Sequence, residues 1–160
     1  MDKKALGYAV AAAAIAVAVY AAFQWGDFGY TECNGSKCDV EVSANAACTD
    51  KKAEPHKLKV KGKGADIFWK APNGYQFCGD DAPKLKDPEE EKLYGNQFTN
   101  RCKTTSNAPG TTCVSTQPPC ATYYHWTSVG DIVKKFEYGI TITNTASNAK
   151  CVIDPWVKNG

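Results

Sequence analysis

Cysteine is the residue type in this chain with the clearest possible chemistry, because thiols form disulfides, bind zinc or cycle between dithiol and disulfide. Zinc sites and dithiol redox sites usually need a C-x-x-C pair, and the tightest spacing here is the C-x4-C of Cys33 and Cys38. The spacing therefore predicts structural disulfides, with no metal and no cofactor. The eight predicted disulfide cysteines are Cys33, Cys38, Cys48, Cys78, Cys102, Cys113, Cys120 and Cys151.

Eight cysteines allow 105 pairings, so spacing can only rank them. Short loops close most easily, which favours pairs flanking turn sequences such as Asn34-Gly35-Ser36-Lys37 and Pro118-Pro119. A bridge across the acidic segment would tether it, and the two remaining cysteines would then join an early strand to the last one. The pairs expected on this basis are Cys33–Cys38, Cys113–Cys120, Cys78–Cys102 and Cys48–Cys151.

A period-two series of lysines is the first candidate binding site. Lys57, Lys59, Lys61 and Lys63 alternate with Leu58 and other residues, so a strand would project all four ammonium groups from one face. Such a row can meet anionic headgroups, a polyanion or an acidic partner. The alternative is a charged solvent face that blocks edge-to-edge strand pairing. Lys51, Lys52 and Lys70 would extend the basic surface.

An aromatic cluster is the second candidate. Alternation along a strand would put Tyr124 and Trp126 on one face, where they could form a sugar-binding platform, and Tyr123 and His125 on the other. The alternative is that one of these faces belongs to the core.

Catalytic constellations are missing from the sequence. There is neither a G-x-S-x-G elbow nor an H-E-x-x-H helix, so the chain is predicted not to be an enzyme. The net charge of +2 gives no indication of nucleic-acid binding.

The elements that carry these residues are predicted to be short strands. Alternation is clearest from Phe136 to Thr143, and shorter runs are found at 38–42, 58–61, 65–69 and 123–127. The pattern predicts a mainly β fold, a disulfide-stapled Greek-key sandwich over residues 26–160. A polar, acidic segment at about 79–120 is predicted to be a long loop insertion, with at most one or two helical turns near Asp87 to Leu93.

The N-terminal residues 1–25 are predicted to be a membrane anchor. The run from 5 to 23 has neither charge nor proline and is long enough to cross a bilayer as a helix, so these residues are expected to contact membrane lipid. Lys3 and Lys4 favour a single pass through the cytoplasmic membrane, with the N-terminus on the cytoplasmic side and the domain in the periplasm or extracellular space. A signal peptide cut before Ala22 and a pilin-type leader cut after Gly7 are the alternatives.

The segments Ile67-Phe68-Trp69, Gly74-Tyr75-Gln76-Phe77, 136–142 and 154–159 together resemble a pattern in small bacterial periplasmic proteins of unknown function with a cupredoxin-like sandwich. The resemblance covers residues 65–160. It implies a Greek-key sandwich and no established activity. It does not carry over a copper site, because the usual ligands around the cysteine are absent and the chain has only two histidines, His56 and His125.

Together these features predict a membrane-anchored extracytoplasmic structural or interaction protein. The expected role is an accessory or assembly subunit of a membrane or surface complex, with a protein partner or further copies of itself. The alternatives are a secreted or anchored binding module for a polyanion or glycan, and a pilin-like filament subunit.

Overall fold

A computed structural model describes residues 29–33, 35–80, 83–114, 117–130 and 132–159. The chain divides after Tyr30, and almost all described residues belong to the unit Thr31–Gly160. The predicted anchor, and with it the choice between anchor, signal peptide and pilin-type leader, lies outside the described residues. Within the described ranges, no helix is long and apolar enough to span a membrane.

The described domain is mainly β. It has one short helix, α1 (Pro88–Tyr94), followed by a single 3-10 turn (Gly95–Gln97). The strands are β1 (Thr31–Cys33), β2 (Lys37–Ala44), β3 (Lys51–Glu54), β4 (Lys57–Val60), β5 (Asp66–Lys70), β6 (Tyr75–Cys78), β7 (Lys84–Leu85), β8 (Phe98–Thr104), β9 (Cys120–Ala121), β10 (Tyr123–Ser128), β11 (Lys134–Asn144), β12 (Lys150–Ile153) and β13 (Trp156–Asn159).

The strands form two sheets. The first sheet has the order β1-β4-β13-β11-β6-β9, with β12 and β7 also paired to β11. The second has the order β3-β2-β5-β10-β8. Three pairs are parallel, namely β1 with β4, β4 with β13, and β2 with β5. The predicted two-sheet arrangement is confirmed, and the strand predictions match β2, β4, β5, β10 and β11 closely.

One aromatic core joins the sheets. Trp69 and Trp126 of the second sheet meet Tyr138 of the first, with ring centroids 5.5 and 5.9 Å from that of Tyr138. The indole N–H of Trp69 donates to the hydroxyl of Tyr138 at 3.0 Å, so this buried pair satisfies its own polar atoms. Burial raises the pKa of Tyr138, an effect that the hydrogen bond from Trp69 opposes only in part.

Strict alternation along β11 determines which of its side chains face the core. Along β11 the residues Phe136, Tyr138, Ile140 and Ile142 are fully buried, and the polar residues between them are partly exposed. A period of two places one set on each face of the sheet, so the buried set fixes which residues must point outward.

The four disulfides use all eight cysteines. Cys33–Cys38 joins β1 of the first sheet to β2 of the second, and Cys48–Cys151 joins the turn after β2 to β12. Both of these pairings were predicted. Each ties one sheet to the other, which restricts the unfolded chain.

The other two predicted pairings, Cys78–Cys102 and Cys113–Cys120, are wrong. Cys78 pairs with Cys120, its direct neighbour across β6 and β9, and Cys102 of β8 pairs with Cys113. Loop length did not decide the outcome, because strand register places Cys78 and Cys120 side by side although they are 42 residues apart.

The predicted loop insertion at about 79–120 is only partly a loop. It contains α1, which Asp87 caps by accepting a hydrogen bond from the Glu89 amide at 2.8 Å, with Pro88 opening the first turn. It also contains β8, an edge strand along β10. The polar composition concealed β8, because in this strand only Phe98 and Cys102 are buried.

We predict that the double variant Cys102→Ser/Cys113→Ser has no free thiol after folding under oxidising conditions, because it removes one whole disulfide. The matched variant Cys78→Ser/Cys102→Ser removes one member of each of two disulfides and leaves Cys113 and Cys120 as orphans. A thiol count on denatured, unreduced protein distinguishes the two variants. We expect no free thiol in the first variant and two in the second, provided that Cys113 and Cys120 have not paired with each other. The opposite result would restore the pairing Cys78–Cys102.

Candidate functional site

A second buried cluster lies on the outer face of the second sheet. Phe68, His125 and Cys102 are direct neighbours on β5, β10 and β8. They alternate with the core residues Trp69 and Trp126, so they point away from the core. All three are nevertheless at least 98% buried. The outer face of this sheet must therefore be covered locally.

Residues 105–114, here called the flap, contribute to this cover. The flap contains neither helix nor strand. Its Cys113 is bonded to Cys102 in the sheet, and the backbone amide of Gly110 donates to Asp66 Oδ2 at 2.7 Å. On the other side, the Lys37 ammonium lies 5.7 Å from the centre of the Phe68 ring. One covalent bond and one charged hydrogen bond thus hold the flap on the sheet.

Asp66 and His125 form a buried pair beneath the flap. His125 Nε2 lies 2.9 Å from Asp66 Oδ1, and the hydroxyl of Thr127 donates to the same carboxylate oxygen at 2.9 Å. An ionised carboxylate only accepts hydrogen bonds, so Nε2 carries the hydrogen of this contact. In the neutral ring, the lone pair is then on Nδ1. The His125 ring also stacks on Phe68, with centroids 4.7 Å apart.

Hydrogen bonds keep Asp66 ionised despite its burial. Burial alone would raise the pKa of this carboxyl group. Hydrogen bonds from Gly110, His125 and Thr127 outweigh that effect, and the pKa of Asp66 falls below its usual value. The sheet and the flap thus both donate to one carboxylate.

His125 Nδ1 is one of three buried side-chain polar atoms without a hydrogen-bond partner among the described residues. A ring nitrogen of His125 and the sulfurs of Cys102 and Cys113 lie within 4.8 Å of one another. The sequence did not indicate this group, because the three residues are spaced C-x10-C-x11-H. Only the pairing of β8 with β10 and the folding back of the flap bring them together.

The lysine series is divided by the structure. Lys57 and Lys59 lie on the outer face of β4, because Leu58 and Val60 between them are buried in the core. Lys61 follows the strand and forms an ion pair of 2.7 Å with Glu32. Lys63 lies in the turn before β5 rather than on a strand. The predicted four-residue row is therefore corrected to two strand residues, since β4 ends at Val60.

Lys135 and Lys158, which the sequence did not single out, lie on strands next to the one that carries Lys57 and Lys59. Lys135 of β11, Lys158 of β13 and Lys59 of β4 are in register on three adjacent strands, and we call them the lysine row. Glu32 of β1 continues the row and lies 3.6 Å from the Lys59 ammonium. The neighbouring row consists of Glu137, Trp156 and Lys57. Alternation around Phe136 and Val157 could have indicated outward lysines, but only the register aligns them.

A shallow cavity of about 400 Å³ adjoins the lysine row. Lys86 lines the cavity and pairs with Glu137 at 2.8 Å and with Asp154 at 3.7 Å. The cavity is therefore lined by positively and negatively charged side chains and by the indole ring of Trp156. Its lining residues are Lys86, Asp87, Glu90, Lys135, Glu137 and Trp156.

The predicted aromatic platform is not at the surface. Trp126 is fully buried and Tyr124 is 8% exposed, and both belong to the core between the sheets. This corrects the proposal that Tyr124 and Trp126 stack on a sugar, because the face that they share is the one that closes on the first sheet. The additional lysines Lys51, Lys52 and Lys70 belong to the second sheet, away from the outer face that carries Lys57 and Lys59.

Neither a protein-family model nor a curated protein sequence matches this chain. The resemblance to cupredoxin-like proteins stays a prediction. The function must therefore be argued from the two outer faces themselves.

We predict that Asp66→Asn destabilises the domain most at neutral pH. The folded-state pKa of Asp66 is lowered, so its stabilising contribution is complete above the ordinary carboxyl pKa of about 3.9 and is lost as the pH falls through the lower folded value. The difference in unfolding free energy between wild type and Asp66→Asn should be about 1–3 kcal/mol at pH 7 and shrink below about pH 4.

Denaturant titrations of both proteins at several pH values measure this difference. Exposed Asp39 supplies the control, because Asp39→Asn should show little change with pH. A constant penalty for Asp66→Asn from pH 7 to pH 2 would contradict the assignment of an ionised, hydrogen-bonded Asp66.

Proposed function

We propose that this protein is a non-catalytic binding module for an anionic polysaccharide, held outside the cytoplasmic membrane by residues 5–23, with the lysine row as its binding surface. The observation that carries the proposal is the register of Lys135, Lys158 and Lys59 on three neighbouring strands.

Like charges directly opposite each other destabilise a sheet. Neighbouring strands lie about 4.8 Å apart, so three ammonium groups in one row repel unless anions lie close to them. Glu32 provides such an anion at the Lys59 end. A sulfated or carboxylated polymer laid across the strands would add further anions along the whole row, beyond the contacts that these lysines make within the domain.

The surroundings of the row suit a carbohydrate chain better than a simple anion. Trp156 lies in the adjacent row, and its indole offers a flat apolar surface beside the charges. The cavity next to it contains Glu137 and Glu90, whose carboxylates can accept hydrogen bonds from sugar hydroxyls. Charge and a flat ring therefore occur together on one face.

Apolar surface gives less support for a protein partner. The large exposed hydrophobic residues among the described ones lie on separate elements, in α1, in the flap, before β11 and in β12: Leu93, Val114, Val133 and Val152. Stable protein interfaces usually have a contiguous apolar centre. Among the described residues, no contact specifically supports the accessory-subunit, assembly, oligomer or pilin-like predictions, so these functions rank second. The Greek-key connection stays a prediction.

The disulfides support the proposed location. All eight cysteines are paired, and disulfides of this kind persist in the periplasm or outside the cell. Together with the basic residues before the apolar run, this favours a domain outside the membrane.

We predict that Lys135→Gln/Lys158→Gln lowers affinity for heparin, used as a probe anionic polysaccharide, by at least about tenfold, which corresponds to about 1.4 kcal/mol. The unfolding free energy should change by less than about 1 kcal/mol, because relieved repulsion and lost surface contacts are both small and opposite in sign. Calorimetric titration at fixed ionic strength measures the first quantity, and denaturant unfolding measures the second.

Lys51→Gln/Lys52→Gln is the matched control, because it removes the same charge from β3 of the second sheet, where both lysines are exposed. It should leave heparin affinity within about twofold of wild type, since surface charges act mainly within a Debye length of about 8–10 Å. Neutral dextran should not bind any of the proteins. Equal losses in both double variants, or no heparin binding by wild type, would overturn the proposal.

A further inference from the structure

We propose that Cys102, Cys113 and His125 form a zinc site that the Cys102–Cys113 disulfide keeps closed and that reduction of this disulfide opens. A ring nitrogen of His125 and the sulfurs of Cys102 and Cys113 lie within 4.8 Å of one another, and this is the one such group of three found among the described residues. The site is independent of the lysine row on the other sheet.

The unpartnered nitrogen of His125 is the first argument. A buried polar atom without a partner is unfavourable, so its presence beneath the flap calls for an explanation. Because Asp66 occupies Nε2, Nδ1 is the ring atom left to bind a metal. Histidine ligands of zinc commonly donate their other N–H to a carboxylate, which is the arrangement that Asp66 provides.

The spacing of the ligands is the second argument. Zn–S bonds of about 2.3 Å and Zn–N bonds of about 2.0–2.1 Å in tetrahedral geometry place ligand atoms roughly 3.5–3.8 Å apart. After reduction, the two sulfurs must therefore separate by less than about 2 Å from their bonded distance. The flap carries Cys113 and has neither helix nor strand to hold it in place, so this small movement can be made by the flap alone.

The charge balance is the third argument. In the opening step, a dithiol donor reduces the protein: the Cys102–Cys113 bond breaks, an S–S bond forms in the donor, and its two hydrogens pass to the two cysteines. Zn²⁺ then replaces both thiol protons, which leave to solvent. Two thiolates neutralise Zn²⁺, so the occupied site adds no net charge to a place where burial penalises charge.

Two thiolates and one imidazole leave a fourth zinc position open. Structural zinc sites are usually closed by four protein ligands, whereas three protein ligands plus an exchangeable one are typical of reactive sites. The geometry thus points to zinc bound with an accessible position at the edge of the flap, where Cys113 is partly exposed.

The test uses the full chain and Zn²⁺ itself. Oxidised wild type should bind no zinc. After limited reduction with a phosphine, which takes up one oxygen from water as each disulfide becomes two thiols, wild type should bind one Zn²⁺ per chain in competition with a chromophoric chelator. Substituted Co²⁺ should give a thiolate-to-metal charge-transfer band, which reports sulfur ligation directly.

Two double variants locate the site. Cys102→Ser/Cys113→Ser should lose zinc binding. Cys78→Ser/Cys120→Ser, which removes a disulfide between two partly exposed cysteines, should keep it. A measurement on wild type needs no variant to fold: Zn²⁺ should slow alkylation of Cys102 and Cys113 at least about tenfold, as mapped by mass spectrometry, because bound thiolates are withdrawn from reaction. No zinc uptake after reduction, or equal protection of Cys78 and Cys120, would overturn the proposal.

Discussion

Closure of two sheets over one aromatic core is the constraint on which the rest of this structure depends. Trp69 and Trp126 meet Tyr138 across the interface, and the indole N–H of Trp69 donates a hydrogen bond to the Tyr138 hydroxyl. Because side chains alternate along a strand, placing these rings in the core also determines which residues face outward. The lysine row on one sheet and the Asp66–His125 pair on the other are both consequences of that choice.

The outer faces of the two sheets differ in how far their polar residues are exposed to solvent. The first sheet carries exposed Lys135 and partly exposed Lys158 and Lys59 on its outer face, where Glu32 offsets part of the repulsion at Lys59. The second sheet buries Asp66 and His125 next to the flap, and Asp66 accepts hydrogen bonds from both the sheet and the flap. A buried carboxylate without such donors would be strongly unfavourable. One face is therefore suited to binding from solution and the other to a site closed by a covalent bond.

Local alternation predicts the strands correctly wherever the residues of the strand itself decide its position. The runs around Val40, Leu58, Ile67 and Ile140 were recognised as strands, and each is one. It failed where the partner strand decided the outcome. The edge strand β8 has few apolar residues because it pairs on one side only, and the pairings of Cys78 and Cys113 follow from register and flap position instead of loop length. The same applies to Tyr124 and Trp126. They share a face, as alternation predicts, but that face lies in the core and not at the surface.

The sequence by itself determined that the domain is mainly β, that its cysteines form disulfides and which residues share a face of each strand, because these depend on neighbours within a few positions. The tertiary structure alone decided which face is the core, which lysines align and which cysteines meet His125. Register and flap placement are set by contacts between residues far apart in the chain. A lysine spacing can be read along one strand, but the lysine row crosses three strands.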